Sequence, residues 1–182
     1  MKILKKLFLY LLSIFFDPQK IRGKHFEENL SGYKWALKSI WTRNILRIAP
    51  PAPWPITIHA TIYDYNNVIF HPDDLNNFQS FGVYWQNFSA KIYIGYGTYI
   101  GPNVGLITAQ HEIDNLDTHT PGKDIVLGKH CWIGMNSIIM PGVIIGDRTI
   151  IGAGSIVTRS FPDGDVTVAG NPAKIIKKNS EK

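Results

Sequence analysis

The feature that most limits how this chain can fold is a six-residue period. From Ile94 it reads Ile94-Gly95-Tyr96-Gly97-Thr98-Tyr99, Ile100-Gly101-Pro102-Asn103-Val104-Gly105 and Leu106-Ile107-Thr108-Ala109-Gln110-His111. After a break the register resumes at Leu127, Ile133, Ile139, Ile145, Ile151 and Val157. The first place of every six is Leu, Ile or Val. The fifth is small at Thr98, Val104, Cys131, Ser137, Val143, Thr149 and Ser155, and Gln110 is the exception. One large aliphatic and one small residue per six describe a triangular coil. Each side is a short flat strand, the aliphatic fills the prism, the small residue sits at a crowded corner, and three sixes complete a turn. Periodicity does not set the hand of such a coil, and the general rule for parallel crossovers is right-handed.

At 182 residues the chain fits one domain of ordinary size with an appendage. Its 16 Gly and 11 Pro favour many turns over long helices. The single cysteine, Cys131, excludes an internal disulfide framework and a thiolate metal cluster. A formal charge of +5 suits an anionic partner, but the basic residues gather in the first fifty positions and at the C-terminus, with no aromatic-basic stripe between them. That distribution argues against nucleic acid.

Lys2, Lys5 and Lys6 surround an apolar run from Leu7 to Phe16, like the start of a secretory signal, but no small-x-small cleavage site follows. The run is well short of the roughly 20 residues needed to span a bilayer. Ile3, Leu4, Leu7, Phe8, Leu11, Leu12, Phe15 and Phe16 recur at helical spacing and predict a helix with one very apolar face. Two readings of that face are open: packing against the protein's own body or a sister subunit, which we favour, or docking of residues 1–16 on an anionic membrane surface. A second amphipathic helix is predicted from Ser31 to Ile48, ended by Pro50, Pro51, Pro53 and Pro55. Short strands are expected around 56–62, 68–70 and 83–88. The expected organisation is a helical extension over 1–49, a β domain over 50–176 with a protruding loop at 112–124, and a tail over 177–182.

The sixes resemble the hexapeptide repeat of the left-handed β-helix acyltransferases. The run from Ile94 to Ile176 is similar to the maltose and galactoside acetyltransferase group, and to polysaccharide-biosynthesis acetyltransferases. The resemblance implies a mainly β chain, a left-handed parallel β-helix with an N-terminal α-helical extension. It further implies acetyl-CoA as acyl donor, no metal, and a homotrimer with sites between subunits. The segment from Ile100 to His111 resembles the stretch that ends in the family's catalytic histidine, which makes His111 the implied general base. Imidazole titrates in the range such proton transfer needs. Glu112, Asp114, Asp117 or a backbone carbonyl is the candidate group to orient it. Trp132-Ile133-Gly134-Met135 resembles the segment flanking the thioester and implies the Met135 amide as oxyanion donor. The stretch from Ile151 to Arg159 resembles the pantetheine-binding run and implicates Ala153, Thr158 and Arg159. Lys174 and Lys177, in a segment similar to the family's closing one, are candidates for the CoA phosphates. Tyr84, Trp85, Gln86 and Asn87 resemble the region lying against the acceptor. His119 has a weaker claim on the acceptor, and His130 almost none.

The implied reaction is O-acetylation of a sugar hydroxyl, in the cytoplasm or at the inner face of the membrane, in making a surface polysaccharide or lipopolysaccharide. Alternative acceptors are the amine of a nucleotide sugar, serine, or a xenobiotic alcohol. A zinc enzyme like the γ-type carbonic anhydrases needs three converging imidazoles, and the spacing of His111, His119 and His130 does not resemble that pattern. A non-catalytic scaffold at the membrane is the remaining class.

Overall fold

The computed structural model describes residues 2–179. Met1 and residues 180–182, the end of the expected tail, lie outside the described residues, as do the side chains of Lys2 and Ile3. Helix α1 (Lys2–Leu12) gathers its lysines on one side and is apolar around the rest. Its inner side, with Leu12 and the following Phe16, is buried, and the Phe8 ring packs 5.5 Å from Tyr33. Leu4, Leu7, Tyr10, Leu11 and Ile14 form an exposed outer side. A short α2 (Lys24–Glu27) precedes α3 (Ser31–Ser39), which runs on as a π-helical segment, Ile40–Ile45. The regular α-helix is therefore shorter than the spacing from Ser31 to Ile48 predicts. The wider π turn carries the buried Arg43, whose guanidinium donates to the carbonyls of Pro50, Thr57 and Ile56 at 2.7, 2.8 and 3.4 Å. That cation ties the helical segment to the start of the β structure, and burial holds its pKa below the ordinary arginine value.

Among the described residues fourteen strands follow: β1 (Thr61–Ile62), β2 (Val68–Ile69), β3 (Tyr84–Gln86), β4 (Ile92–Ile94), β5 (Tyr99–Ile100), β6 (Gly105–Ile107), β7 (Ile125–Leu127), β8 (Trp132–Ile133), β9 (Ile138–Ile139), β10 (Ile144–Ile145), β11 (Ile150–Ile151), β12 (Ile156–Val157), β13 (Val166–Gly170) and β14 (Ala173–Lys178). They build the three sides of a left-handed prism. The first face is β1-β3-β6-β9-β12, the second β2-β4-β7-β10, and the third β5-β8-β11-β13-β14. All pairings are parallel except the final β13–β14 hairpin. In the later coils partners lie eighteen residues apart, Ile144 on Val126, Ile150 on Trp132 and Ile156 on Ile138, which is three sixes per turn. Every first-place aliphatic and every small fifth-place residue is buried. Each such aliphatic contributes roughly 1.5–3 kcal/mol by leaving water. The buried hydroxyls are bonded between coils: Thr98 Oγ1 donates to the Gly128 carbonyl at 2.6 Å and Ser137 Oγ to that of Gly152 at 3.0 Å.

The fourth place carries a rule that composition alone does not display. Gly97, Asn103, His130, Asn136, Gly142, Arg148 and Gly154 all have φ between 53 and 78°. The corner between two sides is turned by one left-handed residue, which Gly and Asn tolerate best. His130 is one of these corner residues. Two sixes lack the left-handed turn: the last, with Ser160 at its fourth place, and the one with Ala109 at its fourth place and Gln110 at its fifth, where the chain leaves the prism. It returns at Lys123, whose N–H donates to the Thr108 carbonyl at 2.8 Å.

The prism also begins before the sixes do. Strands β1 to β3 pair in register with the later coils, but aromatic rings take the place of aliphatics inside them. Trp54, Phe70, Phe78 and Trp85 pack edge-on, tilted or stacked with centroids 4.5–5.2 Å apart and close this end of the core. At the other end β14 pairs antiparallel with β13, so Lys177 and Lys178 are strand residues.

Candidate active site

The excursion after Thr108 is a small antiparallel loop. His111 bridges His119, Glu112 N–H donates to the Thr118 carbonyl at 3.1 Å, and Thr120 N–H donates to that of Gln110 at 2.7 Å. His111 is exposed, and its Nδ1 lies 2.6 Å from the Leu116 carbonyl. A carbonyl can only accept, so Nδ1 carries the hydrogen and the neutral ring presents a lone pair at Nε2. The orienting group on His111 is thus the Leu116 backbone rather than the carboxylate of Asp114 or Asp117. The Leu116 carbonyl, five residues on, reaches the ring, and the Glu112 carboxylate accepts from Thr118 instead. The His119 ring lies 4.3 Å from that of His111.

The loop leaves at the corner between the first and second faces. Gln110, Thr120, Lys123, Met140 and Thr158 line a cleft of about 570 Å³ there, and Arg159 opens onto the adjoining cleft of about 590 Å³ at the end of the prism, with Phe161 and Lys178. Thr158 and Arg159 therefore share the histidine's edge of the molecule.

The residues expected to flank the thioester stand elsewhere. Met135 and Ala153 are exposed at the corner between the third and first faces, where Gly154 N–H donates to the Met135 carbonyl at 2.9 Å. Gly134 is buried against the next coil: a Cβ there would stand 2.6 Å from the Ala153 nitrogen. Trp132 points outward from the third face in register with Tyr99, and Lys174 and Lys177 extend that same sheet through β14. Along the chain, Met135 and Met140 are separated by one side of the prism, roughly 15 Å. One chain thus carries two groups of site residues on opposite edges of its first face.

The four residues expected on the acceptor divide by strand parity. Tyr84 is exposed and Gln86 is half-buried, its Nε2 donating to the Ala109 carbonyl at 3.1 Å and its Oε1 accepting from Thr108 and Ala109 N–H. Trp85 and Asn87 face inward and are fully buried, so neither can touch an acceptor. Trp85 fills the prism. Asn87 accepts from the N–H groups of Tyr63 and Asp64 and donates to the Asp64 carbonyl, which holds the Tyr63 turn in place. That turn brings in a residue that sequence reasoning missed. Tyr63 Oη is 3.1 Å from Tyr84 Oη, and the Tyr63 ring packs edge-on against Phe88. Its nearest signal was an unassigned aromatic in a polar turn. Among the described residues no group of three or more His, Cys, Asp or Glu could hold a metal ion, and no helix is long and apolar enough to cross a membrane.

Three parallel faces wound from six-residue units define a hexapeptide-repeat protein. Residues 124–159 match the family model of the bacterial transferase hexapeptide, six repeats. An Escherichia coli (strain K12) protein named as a colanic acid biosynthesis acetyltransferase is 35% identical over 91 residues, half of each chain. The solved maltose O-acetyltransferase from Clostridium difficile 630 is 39% identical, with 55% of this chain and 54% of that one covered and a TM-score of 0.51. A galactoside acetyltransferase solved with coenzyme A is 32% identical, covering 66% and 64%, with a TM-score of 0.52. The chain spans about half the length of the curated relatives it matches. Its repeats match those of the hexapeptide transferases, and its coil is similar to that of the solved acetyltransferases.

Proposed function

We propose that this protein is an acetyl-CoA-dependent O-acetyltransferase acting on a sugar hydroxyl. The observation that carries the reading is His111: an exposed imidazole whose loop neighbours Gln110 and Thr120 line a cleft, locked by the Leu116 carbonyl into the tautomer with its free lone pair at Nε2. The likeness to maltose and galactoside acetyltransferases, the second solved with coenzyme A, favours a sugar alcohol as acceptor and CoA as carrier. In this reading Nε2 takes the proton of the acceptor hydroxyl as its oxygen attacks the acyl carbon of the thioester. The Met135 N–H steadies the oxyanion that forms, and the imidazolium, held by the Leu116 carbonyl, returns the proton to the departing sulfur. The apolar strip of Trp132 and Met135 suits a pantetheine arm, and Lys174, Lys177 and Arg159 suit its phosphates.

The two groups of site residues lie on opposite edges of one face, so a complete site calls for a second copy. A closed ring of three prisms, each setting its Met135 corner against the next copy's histidine loop, satisfies that need. The loop tip, with Ile113 95% and Leu116 70% exposed, offers apolar surface for the contact. The acceptor that best fits is a surface polysaccharide or its precursor, as the name of the colanic acid relative favours. The exposed outer side of α1, with Lys5 and Lys6 at its flank, fits peripheral attachment to the cytoplasmic face of a membrane.

The test is CoA release from acetyl-CoA over a panel of sugars, for the native chain and for His111→Ala. Acceptor-dependent release that falls roughly a hundred- to ten-thousand-fold in the variant, with CoA binding retained, is the expected result. No release with any acceptor and no CoA binding by calorimetry would overturn the reading. A chain without residues 1–16 that fractionates like the full chain would remove the membrane part.

A further inference from the structure

Four exposed rings run as successive neighbours toward the His111 imidazole. Tyr84 and Tyr63 have centroids 5.8 Å apart at 87°, Tyr63 and Phe88 6.0 Å at 65°, Phe88 and His119 4.9 Å at 72°, and His119 and His111 4.3 Å at 37°. Tyr63 is 56% exposed, Phe88 39% and Tyr84 37%. Single exposed aromatics are ordinary on a protein surface, but a contiguous set marks a binding surface. This set is also built rather than incidental. It joins three separate stretches of chain: the Tyr63 turn, the end of β3, and the histidine loop. The buried Asn87 side chain holds the first two together through three hydrogen bonds of 2.6–3.2 Å. Asn67 Nδ2 adds a fourth by donating to the Asn87 carbonyl at 2.9 Å. The two tyrosine hydroxyls bond each other at 3.1 Å and retain further donor and acceptor capacity at the surface.

We propose that Tyr84, Tyr63, Phe88 and His119 form a track for an acceptor made of several linked sugar units, with the unit to be acylated at His111. A pyranose offers one face of C–H bonds and a rim of hydroxyls. The negative face of an aromatic ring attracts the C–H face, and the tyrosine hydroxyls and the His119 ring nitrogens pair with the rim. Rings tilted steeply to one another present successive faces and edges, which suits a chain whose units rotate about their linkages. A monosaccharide would use only the end of the track beside His111. The track therefore selects for chain length. This inference rests on the acyl-transfer reading only for what happens at His111, because binding along the track needs no acyl donor.

The test is calorimetric titration of the assembled protein, without acetyl-CoA, with glucose- and galactose-based oligosaccharides of one to six units, for the native chain, Tyr63→Ala, Phe88→Ala and the conservative Phe88→Trp. Affinity should rise with chain length in the native protein. Each alanine variant should lower the affinity for the longer chains about tenfold, as expected for one lost ring contact, so that the ratio of long-chain to monosaccharide affinity falls toward one. Phe88→Trp should restore it. Circular dichroism confirms folding, since all the truncated rings are exposed. Affinity that ignores chain length, or alanine variants that bind like the native protein, would overturn the proposal. So would alanine variants that dissociate in light scattering, which would make the rings a contact between copies. Length-dependent binding with no acyl transfer to any sugar would leave the track standing and remove the enzymatic reading instead.

Discussion

Gly134→Ala and Gly105→Ala add the same methyl group to two strand-end glycines, and the structure gives them opposite outcomes. At Gly134 the added Cβ would stand 2.6 Å from the Ala153 nitrogen, 2.7 Å from the Ile151 oxygen and 2.9 Å from the Ala153 Cα. These are backbone atoms of the next coil, so no rotamer change relieves them, and the coils must part by several tenths of an ångström. Overpacking of this kind costs about 1–3 kcal/mol. At Gly105 the nearest atoms are side-chain carbons of Ile138 and Ile107 at 3.6–3.9 Å, which is ordinary contact, and its φ is not left-handed. There the methyl group only narrows the unfolded ensemble, for a gain of about 0.4–1 kcal/mol. For a chain of this size each kcal/mol moves Tm by about 2–4 °C. Thermal melts followed by circular dichroism, at one protein concentration because assembly raises Tm with concentration, should place Gly134→Ala roughly 3–16 °C below Gly105→Ala. Because Gly134 immediately precedes the Met135 amide, the variant should also lose turnover at temperatures where it remains folded. Equal melting temperatures for the two would refute the claim that coil stacking leaves no room for a Cβ at that corner.

His25 is buried against α3 and the segment near Asp73, and burial holds its pKa below 6.5. As pH falls below 6.5 the unfolded chain takes up this proton before the folded one does, so stability is lost on acidification through that window. Between pH 7 and 5.5 the native Tm should fall more steeply than that of His25→Gln, and parallel slopes would count against it. Arg43→Met should leave the Pro50, Ile56 and Thr57 carbonyls without their donor. Limited proteolysis should then cut within the first fifty residues well before the prism, and uniform resistance would show that the helices do not depend on this clamp. Thr98→Val removes both the donor to the Gly128 carbonyl and the acceptor for Cys131 N–H in a buried site. A loss of about 1–3 kcal/mol by denaturant titration is expected, and a neutral result would show that water or backbone relaxation replaces the hydroxyl.

The coil was legible because a six-residue period writes each inward position directly into the sequence, from Ile94 to Val157. It was illegible before Ile94, where Trp54, Phe70, Phe78 and Trp85 fill the same space with four rings and leave no period to count. The helix from Ser31 was legible in its apolar spacing, but its π-helical end was not. That geometry is set by where Arg43 must reach, and those carbonyls lie seven to fourteen residues further on. The acceptor stretch was found as a segment and misread within it, because alternation along a strand sends Trp85 and Asn87 inward while Tyr84 faces out.

By itself the sequence determined the three-sided coil from Ile94 onward, the aliphatics inside that part and the place where the chain escapes. These are local facts of one repeated unit: an aliphatic, a small corner residue, and the fifth place where Gln110 breaks the pattern. Only the tertiary structure decided that the Leu116 carbonyl orients His111, that Met135 stands a full face away from it, and that Tyr63, Phe88 and His119 meet. Those contacts join stretches of chain on different coils, and no period along the sequence encodes which surfaces neighbouring coils will share.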